Sequence, residues 1–439
     1  MLRKIVYAGV NFPSFQCGSQ ALTQMAELQV PPKQVERLTR RIGEERVAQR
    51  NQEIKNYLDL PLSEKCSSPA SAAVIPDLAV VQIDGGRLQI LDRRGVEDQQ
   101  PARDGSNPHS NPSTAQTEVT AAPPAAWESE SHSRHWREDK VGVLITMSSE
   151  ASLSDPCPRI PEHFVDPLRI LKLAREIKPE IPVPEDAVAD ADSEASELEP
   201  SGLLTNEESR GEGEWQPPRR LVQTTVATRG SSQEFGPLMA QAAWARGFKT
   251  ARRQAFVSDG ASMNKTLKAK WFSEYTGILD FIHVLSYIFA AAMGGRKFKE
   301  GWAIYVAWIE EVWRGQAEKV IEELRERLDE LGAAEAEESE TSPRAMMAKA
   351  LSYLENNKDW MRYDEYRRQG LPITSSHVES TIKRINQRVK GTEKLWSEEG
   401  AEAILQLRGD YLSETEPMEK FWRQRQAAAT GRRGYRRSG

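Results

Sequence analysis

Residues 78–92 read LAVVQIDGGRLQILD, an apolar run of strand length that is interrupted by Asp84 and two glycines. Apolar runs of this length are typical of strands in a buried sheet, and a Gly-Gly pair commonly marks a tight turn. The segment therefore predicts a strand, a turn at Gly85 and Gly86, and a returning strand. In this arrangement Asp84 lies in the middle of a hairpin, where its small neighbours leave the carboxylate approachable.

Two further segments have strand character, VGVLITMSS at 141–149 and RLVQTTVATRG at 220–230. Strand and helix patterns then alternate: one strand ends at Asp259 and precedes a helix, and YTGILDFIHVLSYIFAAAMGG repeats that order. Consecutive strands followed by strand–helix alternation predict an α/β fold with a mixed sheet of four or five strands. A functional site is expected in the loops at the carboxyl ends of its strands.

The composition is that of a water-soluble protein of two or three domains. The chain has 439 residues, a net charge of −6 and no run of eighteen apolar residues, so we predict no membrane span. The three cysteines, Cys17, Cys66 and Cys157, form no CxxC pair, which argues against a disulfide framework or a thiolate zinc site. The start MLRKIVYAGVNF lacks the long apolar stretch of a signal peptide, and a cytoplasmic location is predicted.

Charge is distributed unevenly along the chain. Residues 1–56 carry nine Lys/Arg against five acids, and residues 420–439 carry seven basic residues and no acid. Residues 184–214 instead hold eleven acids and one arginine, and about 97–135 is rich in Pro, Ser, Asn and Ala. We predict that these last two segments are inserts outside the folded core.

The amino-terminal block predicts two short helices joined by a tight turn at Val30–Pro31–Pro32. One apolar stripe comprises Ala21, Leu22, Met25 and Leu28, and a second comprises Val35, Leu38 and Ile42. This pattern is typical of a helix-turn-helix, whose second helix would present the side chains of Lys33, Gln34, Arg37, Arg40 and Arg41 to DNA. A generic helical hairpin with a solvated basic face is the alternative.

Three acids stand out as candidates for metal-dependent chemistry. Asp84 and Asp259 each follow an apolar run and precede glycine, and Glu379 lies beside a helical stripe of Val378, Ile382, Ile385 and Val389. Converging carboxylates repel one another unless cations neutralise them, and hard oxygen ligands favour Mg²⁺ or Mn²⁺. Paired metals on such a cluster are suited to phosphate-ester chemistry.

Each acid also has a purely structural interpretation. Asp84 before two glycines could form a turn, and Asp259 could be the N-cap of the following helix. Glu379 completes a Ser376-x-x-Glu379 capping box, which needs no catalysis. Spacing alone does not decide between these interpretations and a metal site.

Four segments in order give a resemblance to a known family. They are IDGG, residues 136–164, FVSDGA followed by ILDFIHVLSYI, and SSHVESTIKRINQRVKGTEKLW at 375–396. Together they resemble the DDE transposases of bacterial insertion sequences, in particular the ISKra-type group. The resemblance implies a ribonuclease-H-like catalytic core in which Asp84, Asp259 and Glu379 are the first, second and third acids.

The long gap between the last two acids predicts an insertion. Residues from Glu300 onward show helical periodicity, and an all-helical insert resembles that of Mutator-like and hAT-like transposases. Those relatives carry a Cys-x-x-His-type motif after the second acid, and the corresponding residues here are Asp280 and His283. His283 could order the active site or contact the DNA backbone; a core-edge histidine bonded to Asp280 is the alternative.

These inferences divide the chain into five predicted regions. They are a helix-turn-helix DNA-end-binding region (1–60), the first part of the catalytic core (76–282), a helical insertion (283–370), the last core helices with the third acid (371–412) and a basic tail (413–439). Basic residues that surround Glu379 would neutralise a DNA strand: Lys383, Arg384, Arg388, Lys390 and Lys394.

The resemblance implies an enzyme that binds transposon ends in double-stranded DNA. Two Mg²⁺ or Mn²⁺ ions on Asp84, Asp259 and Glu379 would activate water for cleavage, and the freed 3′-hydroxyl would attack target DNA. Pairing of two ends implies a homodimer or higher oligomer, associated with the bacterial nucleoid, and no small-molecule cofactor is expected. An inactive or domesticated transposase that only binds DNA, and a ribonuclease-H-like nuclease without strand transfer, are the alternatives.

Overall fold

The computed structural model describes residues 1–69, 75–90, 136–177, 215–333, 338–391 and 394–431. Both predicted inserts, at about 97–135 and at 184–214, lie outside the described residues, as does the end of the predicted basic tail. The strands of the described part are β1 (Leu78–Gln89), β2 (Trp136–Ser148), β3 (Arg219–Thr228), β4 (Arg253–Ser258) and β5 (Thr276–Leu279).

Helices precede, interrupt and follow the strands. The amino-terminal helices are α1 (Leu2–Asn11), α2 (Phe15–Ala26), α3 (Pro32–Leu58) and α4 (Leu62–Lys65). Those between the strands are α5 (Pro167–Ile177), α6 (Ser232–Ala245) and α7 (Ser262–Trp271). After β5 come α8 (Phe281–Met293), α9 (Phe298–Trp313), α10 (Ala317–Glu330), α11 (Pro343–Asn357), α12 (Tyr363–Arg368), α13 (Ser376–Val389), α14 (Glu398–Leu412) and α15 (Pro417–Gly431).

The strands form one mixed sheet in the order β3-β2-β1-β4-β5. β1 pairs antiparallel with β2, which pairs antiparallel with β3, whereas β1–β4 and β4–β5 are parallel. The predicted α/β class and mixed sheet are therefore confirmed, as is the order of an antiparallel meander followed by strand–helix alternation. β1 lies at the centre, with apolar residues buried on both faces.

The predicted turn at Gly85 and Gly86 is wrong. β1 continues through both glycines, which pair with Lys140 and Asp139 of β2. The antiparallel partner is supplied by β2 along the whole length of β1, so no return strand follows directly. At Gly86 a Cβ atom would lie 2.8 Å from Asp139 Oδ1, so a side chain there would require the buried Asp139 carboxylate to shift. Asp84 consequently lies within a strand.

Each face of the sheet packs against its own set of helices. On one face, Val80 and Val143 join a large core with α8 and α13. On the other, Val81 and Phe256 pack with α6 and α7 in a second cluster. The described residues between α8 and α13, in the predicted insertion, are helical without a strand, and α9 packs on α8.

The amino-terminal block is helical, but its second helix is not short. α2 matches the first predicted helix, although its predicted core residue Met25 is 81% exposed. α3 spans 27 residues and packs along α14, where Arg46 pairs with Asp410 at 3.0 Å and Arg50 with Glu402 at 2.8 Å. Two ion pairs therefore tie this block to α14.

Arg388 does not lie on the surface, contrary to its predicted role at DNA. Its Nε and one terminal nitrogen donate to the Gly9 carbonyl at 3.0 and 2.9 Å. The guanidinium also lies 4.5 Å from the Phe15 ring centroid and 5.0 Å from that of Trp396. The side chain is buried and joins α13 to the amino-terminal helices, so it is a structural contact.

We expect Arg388→Met to lower the free energy of unfolding by about 2–3 kcal/mol, because it removes charged hydrogen bonds to a buried carbonyl. The matched control is Arg384→Met, an exposed side chain on the same helix, for which a change within about 0.5 kcal/mol is expected. Urea unfolding measures both values. Equal stabilities of the two variants would contradict the structural assignment.

No helix in the described part of the chain is long and apolar enough to cross a membrane.

Candidate active site

Three aspartates are level with one another across neighbouring parallel strands. Gln82 pairs with Val257 between β1 and β4, so two residues further on Asp84 reaches the level of Asp259. Ser258 pairs with Leu279 between β4 and β5, which brings Asp259 level with Asp280. Because carboxyl ends of parallel strands share one edge of the sheet, the register gathers these carboxylates at a single place.

Buried Gln82 attaches the helix that carries Glu379 to the central strand. Its side-chain Nε2 donates to the Thr374 carbonyl at 3.0 Å, and its Oε1 accepts from the Val378 amide at 3.1 Å. Gln82 lies two residues before Asp84, and side chains of a strand alternate between its faces. The start of α13 is thus fixed over the face of β1 that carries Asp84.

Asp280 connects β5, α8 and α13 through one buried carboxylate. Its Oδ1 accepts from the Ser375 amide at 3.1 Å and from the Ile282 amide at 3.3 Å. Its Oδ2 lies 2.6 Å from His283 Nδ1. The Ser375 hydroxyl in turn donates to Glu379 Oε1 at 3.1 Å, so Asp280 positions Glu379 through the residue before α13.

Asp280, His283 and Glu379 form a compact group. One possible ligand atom from each lies within 4.8 Å of the others. The structure therefore joins the third predicted acid to the pair that sequence analysis placed in a supporting role. Asp84 and Asp259 are not members of this group, although both interact electrostatically with it.

The pKa values of two acids are raised by their surroundings. Burial raises the pKa of Asp84 to about 6, and the charges of Asp259 and Asp280 act in the same direction against the Gly85 amide and His283. Burial likewise raises the pKa of Glu379 to about 7, with Asp280 and Asp84 adding to the effect. Like charges held together in a poorly solvated place favour the protonated form.

His283 experiences the opposite balance. Burial lowers its pKa, but the hydrogen bond and charge of Asp280, with Glu379 and Asp259, outweigh it and raise the pKa to about 9. The imidazole is therefore cationic near neutral pH, and Nδ1 donates to Asp280. The single positive charge of His283 partly offsets the surrounding carboxylates.

The three predicted acids each keep one carboxylate oxygen available. Asp84 Oδ1 accepts from the Gly85 amide at 2.7 Å, and Asp259 Oδ1 accepts from Ala261 N and Asn264 Nδ2 at 3.0 and 2.8 Å. Within the described residues, Asp84 Oδ2, Asp259 Oδ2 and Glu379 Oε2 accept no hydrogen bond, whereas both oxygens of Asp280 are engaged. The free oxygens are the donors that Mg²⁺ or Mn²⁺ prefers.

The turn, the N-cap and the capping box that were the structural interpretations of the acids are not observed. Asp84 forms no turn, and the N-cap of α7 is Ala261 instead of Asp259. The N-cap of α13 is Ser375, without a side-chain capping bond, so Ser376 and Glu379 form no capping box. Each acid instead makes a local hydrogen bond through one oxygen: Asp84 to the Gly85 amide, Asp259 to Ala261 and Asn264 at the start of α7, and Glu379 to the Ser375 hydroxyl.

The other predicted DNA-binding residues lie on two separate helices. Lys33, Arg37, Arg40 and Arg41 are exposed on α3, where each has a polar neighbour on the same helix. On and after α13, Lys383, Arg384 and Lys390 are exposed and Lys394 is half-buried, its ammonium donating to the Gln387 and Lys390 carbonyls. Their role at DNA stays a prediction.

Several residues that shape the site were not predicted from the sequence. Gln82 and Ser375 position α13, and the Tyr353 hydroxyl donates to the Asp259 carbonyl at 2.8 Å. The ring of Tyr353 stacks on Tyr287 with centroids 3.7 Å apart. A polar Gln82 within an apolar strand, two residues before the first acid, was the one local signal available.

Comparison with models of protein families and with curated proteins gives no match for this chain.

Metal binding is expected to depend on pH in a defined direction. Protons and divalent cations compete for the same oxygens, and the pKa values of Asp84 and Glu379 are raised to about 6 and about 7. We therefore expect Mn²⁺ affinity to fall at least ~10-fold between about pH 8 and about pH 6. Titration calorimetry measures this, and an affinity independent of pH would contradict the site.

We expect the stability of the metal-free fold to change with pH in the direction that these raised pKa values imply. Raised carboxyl pKa values mean that the metal-free fold loses stability as pH rises from about 4 through about 7. At about pH 8 in EDTA, Glu379→Gln should thus melt about 2 °C or more above the wild type. Mg²⁺ should raise the melting temperature of the wild type and not of this variant. Glu322→Gln, an exposed acid on α10, is the matched control.

Proposed function

We propose that this protein is a metal-dependent DNA transposase with a ribonuclease-H-like catalytic core. The observation that carries the proposal is the register that places Asp84 and Asp259 level on adjoining parallel strands, with Glu379 on a helix fixed over the same strand. Each of the three keeps one oxygen that accepts no hydrogen bond from the described residues. Burial and neighbouring carboxylates raise the pKa values of Asp84 and Glu379, so these two acids are held where ionisation is unfavourable unless a cation neutralises it.

The strand arrangement supports the proposed core. A mixed sheet in the order β3-β2-β1-β4-β5, with the first acid on its central strand and the second after β4, fits the ribonuclease-H-like fold that the sequence resemblance implies. Helices α8–α12 then occupy the gap before the third acid. On this proposal these helices would correspond to the all-helical insertion of the Mutator-like and hAT-like transposases.

The residues of the chain would divide the chemistry among them. Asp84, Asp259 and Glu379 would hold two Mg²⁺ or Mn²⁺ ions, which activate the attacking oxygen and stabilise the leaving one when bound. Asp280 is a positioning residue, because both its oxygens already hold Ser375, Ile282 and His283. The cationic imidazole of His283 would offset negative charge beside the scissile phosphate.

Basic side chains offer a path for DNA toward these acids. Lys383, Arg384 and Lys390 are exposed on or just after the helix that carries Glu379, where they would contact phosphates near the scissile bond. The exposed cations of α3 would contact the transposon end further away. Such contacts supply sequence-independent affinity, and two ends brought together would require at least a homodimer on the bacterial nucleoid.

The proposal is tested by an end-cleavage assay with purified protein, Mg²⁺ or Mn²⁺, and labelled DNA that carries the ends of the element. We expect metal-dependent nicking at the end junction and strand joining by the wild type. Glu379→Gln and Asp84→Asn should each reduce the rate at least ~1,000-fold, about 4 kcal/mol of barrier, while DNA binding is retained. Glu322→Gln should cut like the wild type.

The alternatives give different outcomes in the same assay. Nicking without joining would indicate a ribonuclease-H-like nuclease. Binding without nicking by any variant would indicate an inactive or domesticated transposase that acts as a DNA-binding protein. Cleavage by Glu379→Gln at the wild-type rate would remove the assignment of the metal site.

A further inference from the structure

A cleft of about 500 Å³ lies between α7 and the end of α11. Its lining is both cationic and aromatic, and includes Lys265 and Lys268 of α7, Asn357, Asp359 and Trp360. Its volume is within the range of small-molecule sites. None of these residues belongs to the acidic site or to the predicted DNA-binding set.

The two lysines turn their ammonium groups toward backbone carbonyls instead of carboxylates. Lys265 Nζ donates to the Asn356 carbonyl, and Lys268 Nζ donates to the Ser273 carbonyl at 3.0 Å. Neither forms an ion pair with a described residue. Burial lowers the pKa of both, and each ammonium has three donor hydrogens. Unused donors therefore remain for an anion.

Trp360 forms a fixed apolar wall of the cleft. Its indole lies against Gly277 of β5, where a Cβ atom would be 2.5 Å from the ring, and packs edge-on to Phe256 at 6.3 Å. Lys265 Nζ lies 5.7 Å from its centroid. The cleft thus combines a hydrophobic surface with cations on one side.

The cleft adjoins the acidic site through shared elements. α7 begins at Ser262, three residues after Asp259, and the Tyr353 hydroxyl donates to the Asp259 carbonyl at 2.8 Å. Asn357 Nδ2 donates to the Tyr353 carbonyl, also at 2.8 Å. One short network of α11 therefore connects the second acid to the cleft.

We propose that this cleft binds one nucleotide of an unpaired DNA strand, with its phosphate on Lys265 and Lys268 and its base or sugar against Trp360. The inference rests on the proposed function and extends it, because α7, which carries both lysines, begins three residues after Asp259. Asp359 at the cleft disfavours a di- or triphosphate, which carries more negative charge. An unpaired strand fits because stacking on an aromatic ring needs an exposed base.

The test measures binding of a labelled oligothymidylate of about twelve nucleotides, followed by fluorescence anisotropy in EDTA so that no cleavage occurs. We expect Lys265→Gln/Lys268→Gln to weaken binding about 10-fold or more and to reduce the dependence on salt. Lys270→Gln is the matched control, an exposed lysine of the same helix outside the cleft, and should stay within about twofold. Trp360→Phe should weaken binding of the oligonucleotide more than it weakens binding of inorganic phosphate.

Each contrary result overturns the inference. Unchanged binding by the double variant, or an equal loss in Lys270→Gln, would show that the cleft is not the site. If inorganic phosphate displaced the labelled oligonucleotide as strongly as unlabelled oligonucleotide does, the cleft would be a phosphate site that does not recognise a nucleotide. Thermal melting of each variant verifies that it is folded.

Failure of the proposed function gives a different pattern. Wild-type protein that binds the oligonucleotide through these lysines but never nicks element ends would refute the transposase proposal and leave the cleft assignment intact. If the wild type nicks element ends but the double variant binds the oligonucleotide as well as the wild type does, the transposase proposal would stand and the cleft assignment would be refuted.

Discussion

The buried carboxylate of Asp280 is the constraint on which the candidate site depends. A buried charge is costly unless hydrogen bonds satisfy it, and this one takes the amides of Ile282 and Ser375 and the His283 imidazole. It also caps α8, where the partial positive charge of a helix amino terminus stabilises it. Since Ser375 then donates to Glu379, the third acid is placed by the same group that ends β5.

This arrangement brings negatively charged carboxylates close together, and the fold does not fully neutralise their repulsion. The pKa values of Asp84 and Glu379 are raised by burial and by neighbouring carboxylates, so ionisation of these groups opposes folding. The positive charge on His283 compensates only in part. Strain of this kind persists where surrounding packing holds it, here by Gln82 and the two-faced core around β1. On the proposed function, divalent cations would neutralise the negative charge of the carboxylates that His283 does not offset.

The α/β class, the strand at 141–149 and the strand that ends before Asp259 could be predicted because apolar runs report burial directly. The continuation of β1 through Gly85 could not be predicted. Whether the chain turns at two glycines or continues as a strand depends on pairing with β2, which is more than forty residues away. The alignment of Asp84, Asp259 and Asp280 likewise depends on register between strands, which a single sequence does not encode locally. Arg388 was wrongly predicted to be a surface cation because its partner Gly9 is far away in the sequence.

The helices after β5 do more for the site than fill the gap between two acids. β5 has four residues and lies at the edge of the sheet, where unpaired carbonyls need partners. The hydroxyls of Tyr363 and Tyr366 donate to the Leu279 and Gly277 carbonyls at 2.9 and 3.0 Å. With Tyr353 on the Asp259 carbonyl, three tyrosines from these helices secure the carboxyl ends of two short strands. Asp259 and Asp280 follow those strands directly, so the geometry of the carboxylates is set from outside the sheet as well as within it.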